Sequence, residues 1–179
     1  IQLMDLLWMY YERNGNFRGA AYTLDKLAER QCNKINLYQR LEYLSRAIIC
    51  LKSCQTNLSM ALLFDDSEMK TSGEFLHELQ EKMEVARIQL HILETLSKKS
   101  NVTSTVIQEA VTKLNANLFD ITQLYEQFAD KFNLPECQLA ILNSAAYHDP
   151  GLVESLWEKI IDKELSDSII KPVAVQKLQ

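Results

Sequence analysis

The sequence has 179 residues, 47% of them hydrophobic and 24% charged, which is enough apolar content to bury a core in one domain or one piece of a larger one. Four glycines and three prolines leave too few turn residues for many short strands and favour long helices, so an all-α fold is expected. The formal charge of −5, with Lys and Arg scattered singly or in pairs, offers no basic stripe to a phosphate backbone and argues against direct nucleic-acid binding.

Leu3, Leu6, Leu7 and Tyr10 predict a first helix with one apolar stripe, ending near Arg13 before the turn residues Asn14, Gly15 and Asn16. The pattern starts at Ile1 with no cap before it, as expected of an excerpt from a longer chain. Asn16 can cap a second helix whose Phe17, Ala20, Ala21, Leu24, Leu27 and Ala28 share a face, and the short loop predicts an antiparallel hairpin. Asn36 is the expected cap of a third helix carrying Leu37, Leu41, Leu44, Ile48 and Leu51, with Tyr43, Ala47, Cys50 and Cys54 on an adjacent stripe. Gln55 to Gly73 breaks the pattern and predicts a long loop, with room for one turn of helix; its patch from Met60 to Phe64 reads first as local packing and second as a dock for a partner or a membrane surface.

The longest uninterrupted stretch, Glu74 to Leu96, predicts a central helix started by Ser72. One stripe comprises Leu76, Leu79, Met83, Ala86, Leu90 and Leu93, and a second Val85, Ile88, Ile92 and Leu96, so this helix has neighbours on two sides. Glu78 with Lys82 and Glu84 with Arg87 are expected to pair along its wet face. Beyond the polar run Ser97 to Ser104, Val106, Ala110, Val111, Leu114 and Leu118 predict a fifth helix. Asp120 and Gln123 resemble a capping box, marking either a new helix or a kink in a continuous one, followed by Ile121, Leu124, Tyr125 and Phe128. Pro135 and the pair Asp149–Pro150 open the last two helices. The final one bears Leu152, Val153, Leu156, Trp157, Ile160, Ile161 and Leu165 before the pattern becomes ambiguous around Pro172. Seven or eight helices, several apolar on two faces, predict an irregular α-solenoid of stacked antiparallel hairpins.

No catalytic or cofactor motif survives inspection. Glu74 and His77 form an isolated E-x-x-H pair, but a di-iron site needs a second such pair, so they read as a solvated Glu and His in a helical turn. His77 and Glu78 begin an H-E-x-x sequence that ends at Glu81 where zinc would need His, and His91 lies about 21 Å along the helix from His77. Cys50 and Cys54 share a helix face without a third ligand; with Cys32 and Cys137 they read as reduced thiols. Phosphate-cradling glycine loops are absent, as are a run near eighteen apolar residues and a charged start leading into an apolar core. Without such a secretion signal, the glycosylation triplets at Asn57 and Asn101 read as chance. Glu154, Glu158 and Asp162 form an acidic column that reads first as a solvated face and second as a dock for a basic partner. Trp157, Ile161 and Leu165 are the candidate partner-binding residues, for a continuation of the chain or another protein.

Four segments carry a specific resemblance: Glu74 to Leu96 (EFLHELQEKMEVARIQLHILETL), Gln39 to Ile48 (QRLEYLSRAI), Asp120 to Asp130 (DITQLYEQFAD) and Leu156 to Ser168 (LWEKIIDKELSDS). They closely resemble the nucleoporin one-fifty-five / one-seventy family, and the resemblance runs from Tyr10 to Ser168. It implies that residues 1–168 are part of a C-terminal α-helical solenoid, with 169–179 a tail, a linker or the start of a further helix. By the same resemblance the role is structural, in the inner ring of the nuclear pore complex, through contacts with other inner-ring and linker nucleoporins. Membrane association would be indirect or through absent parts of the protein, with no catalytic residue and no cofactor. The loop Gln55 to Thr71 and the tail after Ser168 depart from the family pattern and inherit no contact from it. Two alternatives from other classes are a helical-repeat adaptor of another coat or trafficking assembly and a helical metalloprotein using Glu74 and His77.

Overall fold

The computed structural model describes residues 2–56, 66–99 and 105–176, and among them every regular element is helical. The order is α1 (Gln2–Arg13), α2 (Phe17–Glu29), α3 (Leu37–Thr56), α4 (Asp66–Lys99), α5 (Thr105–Ala116), α6 (Ile121–Leu124), α7 (Pro135–Ser144) and α8 (Pro150–Gln176). A π-helical stretch, Tyr125–Asp130, follows α6 directly. The chain forms two compact units, residues 1–119 and 120–179.

In the first unit, α1 and α2 form the expected hairpin. Gly15 takes a left-handed φ of +73°, while the Asn16 N–H bonds to the Tyr11 carbonyl at 2.9 Å and the Gly15 N–H to that of Glu12 at 3.0 Å. This closes the C-terminus of α1 in a Schellman motif. Asn16 then caps α2, its Oδ1 accepting from the Gly19 N–H at 2.9 Å. A Cβ on Gly19 would lie 3.0 Å from the Asn16 side chain, so glycine makes room for that close cap. Asn36 and Gln39 exchange side-chain-to-backbone bonds at the start of α3, the reciprocal arrangement of a capping box.

The core of this unit runs from α1 through α2 and α3 to α4. Ala20, Ala21 and Ala28 let backbones approach, and Leu24, Leu27, Leu44, Leu51 and Leu79 are fully buried between them. The face of α1 that packs there is Met4, Trp8 and Tyr11. The predicted stripe lies outside, with Leu3 79%, Leu6 64% and Tyr10 62% exposed. Both sets fall at helical spacing, and the indole decides between them because Trp8 brings the largest apolar surface to bury.

Two polar side chains, both fully buried, hold the lower end of the unit. The Arg40 guanidinium donates to five carbonyls, those of Ala28, Arg30, Cys32, Ile35 and Ala116. From α4, Gln89 Nε2 donates to the Leu114 and Asn117 carbonyls at 2.7 and 2.6 Å, while its Oε1 accepts from the Phe119 N–H at 3.0 Å. Asn115 adds a third tie by accepting from the Leu37 N–H at the start of α3. Helix α5 therefore stops at Ala116 and does not continue into α6, because side chains from α3 and α4 satisfy its open end.

Helix α4 starts six residues before the predicted Ser72, at Asp66, and passes through Gly73. Extending an existing helix costs less than nucleating one, and a single glycine weakens a helix by about 1 kcal/mol without ending it. Thus Gln55, Thr56 and Asp66 to Gly73 are helical where a loop was expected. The predicted patch Met60 to Phe64 lies outside the described residues.

In the second unit, Asp120 and Gln123 form the expected capping box. After the π-helical stretch, Asn133 takes a positive φ and the Leu134 N–H reaches back to the Ala129 carbonyl at 2.9 Å. Ala146, also at positive φ, closes α7 similarly through a Tyr147 to Leu142 bond of 3.0 Å. Pro135 stands at the start of α7, and Asp149 Oδ1 caps α8 by accepting from the Leu152 N–H. Cys137, Ile141, Leu142 and Leu156 are buried. Helix α8 continues through Pro172 to Gln176.

Replacing Arg40 strands several buried carbonyls at once, so Arg40→Ala is expected to lower stability by about 4 kcal/mol in urea unfolding. Arg40→Lys should recover less than half of that loss, because an ammonium cannot reproduce the planar fork. Burial, and secondarily the charge of Glu12, pushes the Cys50 thiol up to about 11 from 9.0. Between those values the unfolded chain has lost the proton that the folded chain retains, so stability present below pH 9 falls as pH rises to 11. Wild type is predicted to lose about 2–3 kcal/mol more than Cys50→Ala across that window in urea titrations.

Candidate interaction surface

Of the motifs that suggested chemistry in the sequence, the Glu74–His77 pair stands on exposed helix surface and the Cys50–Cys54 pair does not. Glu74 and His77 are both solvent-facing on α4, and His77 Nε2 lies 3.5 Å from Glu81, one turn further on, with both side chains more than two-thirds exposed. Cys50 is buried and Cys54 partly so. Among the described residues no group of three His, Cys, Asp or Glu side chains is placed to hold a metal ion.

One charged cluster is more than solvated surface. Lys82 pairs with Glu78 as expected, at 3.0 Å, but its ammonium also donates to Asp25 at 3.0 Å and Glu29 at 2.7 Å on α2. Burial raises the pKa of Asp25 despite these cationic contacts. Burial also opposes the Lys82 charge, yet hydrogen bonds to Glu29, Asp25 and Glu78 outweigh it and raise the ammonium pKa. Glu29, bridged in addition by Lys26 at 2.8 Å, is held below the usual carboxylate range, those two lysines overcoming its own desolvation. With its ammonium paired to three carboxylates, Lys82 ties α2 to α4. Its signal in the sequence is Asp25, a carboxylate between Leu24 and Leu27 on a buried stripe. Arg40 and Gln89 carry the same signature, interrupting the apolar runs Leu37–Leu44 and Ala86–Ile92.

Among the described residues, exposed large apolar side chains line up along α1 in the first unit and along α8 in the second. In the first unit they are Leu3, Leu6, Leu7 and Tyr10 on the outer face of α1. In the second, the candidates Trp157, Ile161 and Leu165 stand one turn apart along α8 and are 53%, 53% and 57% exposed. Trp157 also lines a groove of about 480 Å³ between α7, the 145–149 turn and α8, walled by Leu139, Leu142, Tyr147, His148 and Val153. The turn is stiffened by the His148 ring, whose Nδ1 lies 2.8 Å from the Ala146 carbonyl. Glu154, Glu158 and Asp162 are all exposed. The structure places Trp157, Ile161 and Leu165 together, and sequence reasoning missed the groove because its far wall is assembled from α7 and the turn.

Exposed apolar surfaces of this kind suit contact with other proteins. Residues 1–178 match the family described as non-repetitive/WGA-negative nucleoporin C-terminal. The chain is 41% identical over 162 residues to nuclear pore complex protein Nup154 of Drosophila melanogaster, covering 90% of this chain and 11% of that protein. It is 25% identical over 160 residues to nucleoporin NUP170 of Saccharomyces cerevisiae, covering 89% of this chain and 10% of the yeast protein. Thus it spans about a tenth of the length of these relatives. Among solved structures, the Chaetomium thermophilum Nup170 CTD superposes with a TM-score of 0.76 at 25% identity, over 90% of this chain and 28% of that one. The Nup170 CTD in the Nup170 CTD–Nup145N complex gives 0.73 at 26% identity, over 90% of this chain and 30% of that one. The all-α, solenoid class expected from the helical pattern is therefore the class of its structural neighbours. With a family match over nearly its whole length and a relative at 41% identity, the chain belongs to the non-repetitive/WGA-negative nucleoporin C-terminal family.

Proposed function

We propose that this chain is a scaffold segment of the nuclear pore complex inner ring at the nuclear envelope. It serves pore assembly, and through it nucleocytoplasmic transport, by binding other inner-ring and linker nucleoporins. The observation that carries this reading is the family match over residues 1–178 combined with exposed apolar stripes on both α1 and α8. A related Nup170 domain has been solved in complex with Nup145N, which supports a nucleoporin as the partner class. The mechanism is burial: helices already packed on one face offer a second apolar face to a neighbour. On this reading the segment performs no catalysis, binds no cofactor or nucleic acid directly, and reaches the membrane only through other parts of its protein or through partners.

Affinity capture from nuclear-envelope extract, with partners identified by mass spectrometry, tests this. The wild-type chain is expected to recover inner-ring nucleoporins, and Ile161→Asp to lose at least one of them while keeping its helical circular dichroism. Recovery of vesicle-coat proteins in their place would contradict the reading. Intact recovery by a folded Ile161→Asp variant would remove the α8 stripe from it.

A further inference from the structure

We infer that the α7–α8 groove and the stripe beside it form a docking site for a short peptide segment that pairs an aromatic or large aliphatic anchor with Lys or Arg. This deepens the scaffold reading and rests on it. Three features meet on one stretch of helix. The groove opens beside a half-exposed Trp157, and its volume of about 480 Å³ suits a few side chains, not a folded domain. From Trp157 to Leu165 the apolar stripe extends about 12 Å along α8, the reach of a short segment.

Charge selects the occupant. Glu154, Glu158 and Asp162 each precede an apolar residue of the stripe by three positions, so a carboxylate stands beside Trp157, Ile161 and Leu165 in turn. Among the described residues no cation pairs with any of these carboxylates, whereas Lys163 nearby is engaged by Glu136 at 3.0 Å. Three like charges at successive turns repel one another, and that repulsion is relieved when a basic segment lies along them. A second copy of the chain is disfavoured, because a two-fold contact would set one acidic column against another in a molecule of net charge −5. An anionic membrane surface meets the same repulsion.

Phage-displayed random peptides of about 12 residues, panned on the full chain, test the assignment. Enriched peptides should carry a Trp, Phe, Tyr or Leu anchor with Lys or Arg within one helical turn or its extended equivalent. Trp157→Ala and the pair Glu154→Lys/Glu158→Lys should each weaken a selected peptide about tenfold. Raising NaCl from about 0.05 to about 0.5 M should weaken it as well. The doubly reversed chain should in turn prefer the same peptide with its basic residues changed to Glu, an exchange that a misfolded variant could not produce. The inference is overturned if no peptide is enriched, if the enriched set lacks basic residues, or if binding ignores both variants. In the extract, nucleoporin recovery undiminished by either variant would overturn this site and leave the scaffold function standing. Loss of recovery specific to these variants would support both.

Discussion

A guanidinium with no carboxylate partner among the described residues occupies the end of the larger unit, and the path of the chain around it follows from how its charge is met. Arg40 is fully buried and donates to carbonyls at the end of α2, in the α2–α3 connection and at the end of α5. Each helix C-terminus carries about half a unit of negative charge, so two of them together offset roughly one cation. Burial lowers the Arg40 pKa, but a guanidinium keeps its proton under ordinary conditions; five carbonyls accept from its two terminal nitrogens, while the buried Nε–H has no acceptor among the described residues. Gln89 completes the arrangement from the opposite side by binding the carbonyls of Leu114 and Asn117 and the N–H of Phe119. A connection that would otherwise leave backbone groups unsatisfied in the interior is thereby fixed in place.

Away from this polar centre, helices of each unit are apolar on more than one side. Along α1, Met4, Trp8 and Tyr11 pack inward while Leu3, Leu6 and Tyr10 face out. Along α8, Leu156 is buried and Trp157 and Ile161 are exposed. A helix with one apolar face is finished when that face is covered; these helices keep a second apolar face exposed, as the proposed scaffold role requires. Charge then separates the two roles. Across the partly exposed seam between α2 and α4, Lys82 gathers three carboxylates and ties the two helices, whereas on α8 the acidic column stands without a cation among the described residues.

Helix identity was readable from the sequence because it depends on local spacing and caps: Asn16, Asn36, Asp120, Pro135 and Asp149 all mark helix starts as expected. Which of two apolar faces turns inward was not, because Leu3–Leu6–Tyr10 and Met4–Trp8–Tyr11 satisfy the same period and only packing separates them. The onset of α4 at Asp66 was hidden by Gly73, which weakens a helix without stopping it. The roles of Arg40 and Gln89 rest on bonds to residues as far as 76 and 30 positions away, which no local window contains. Of the candidate surface, Trp157, Ile161 and Leu165 were visible as one stripe, but the groove beside Trp157 needed the wall supplied by α7 and the turn.

Amide hydrogen exchange over residues 114–119, read beside the core amides of α2 and α3, tests most directly whether the buried polar centre governs this fold. The account predicts that the Phe119 amide, bonded to Gln89 in an irregular connection, exchanges nearly as slowly as those helical core amides. Exchange at the rate of an open loop, with α2 and α3 still protected, would contradict it.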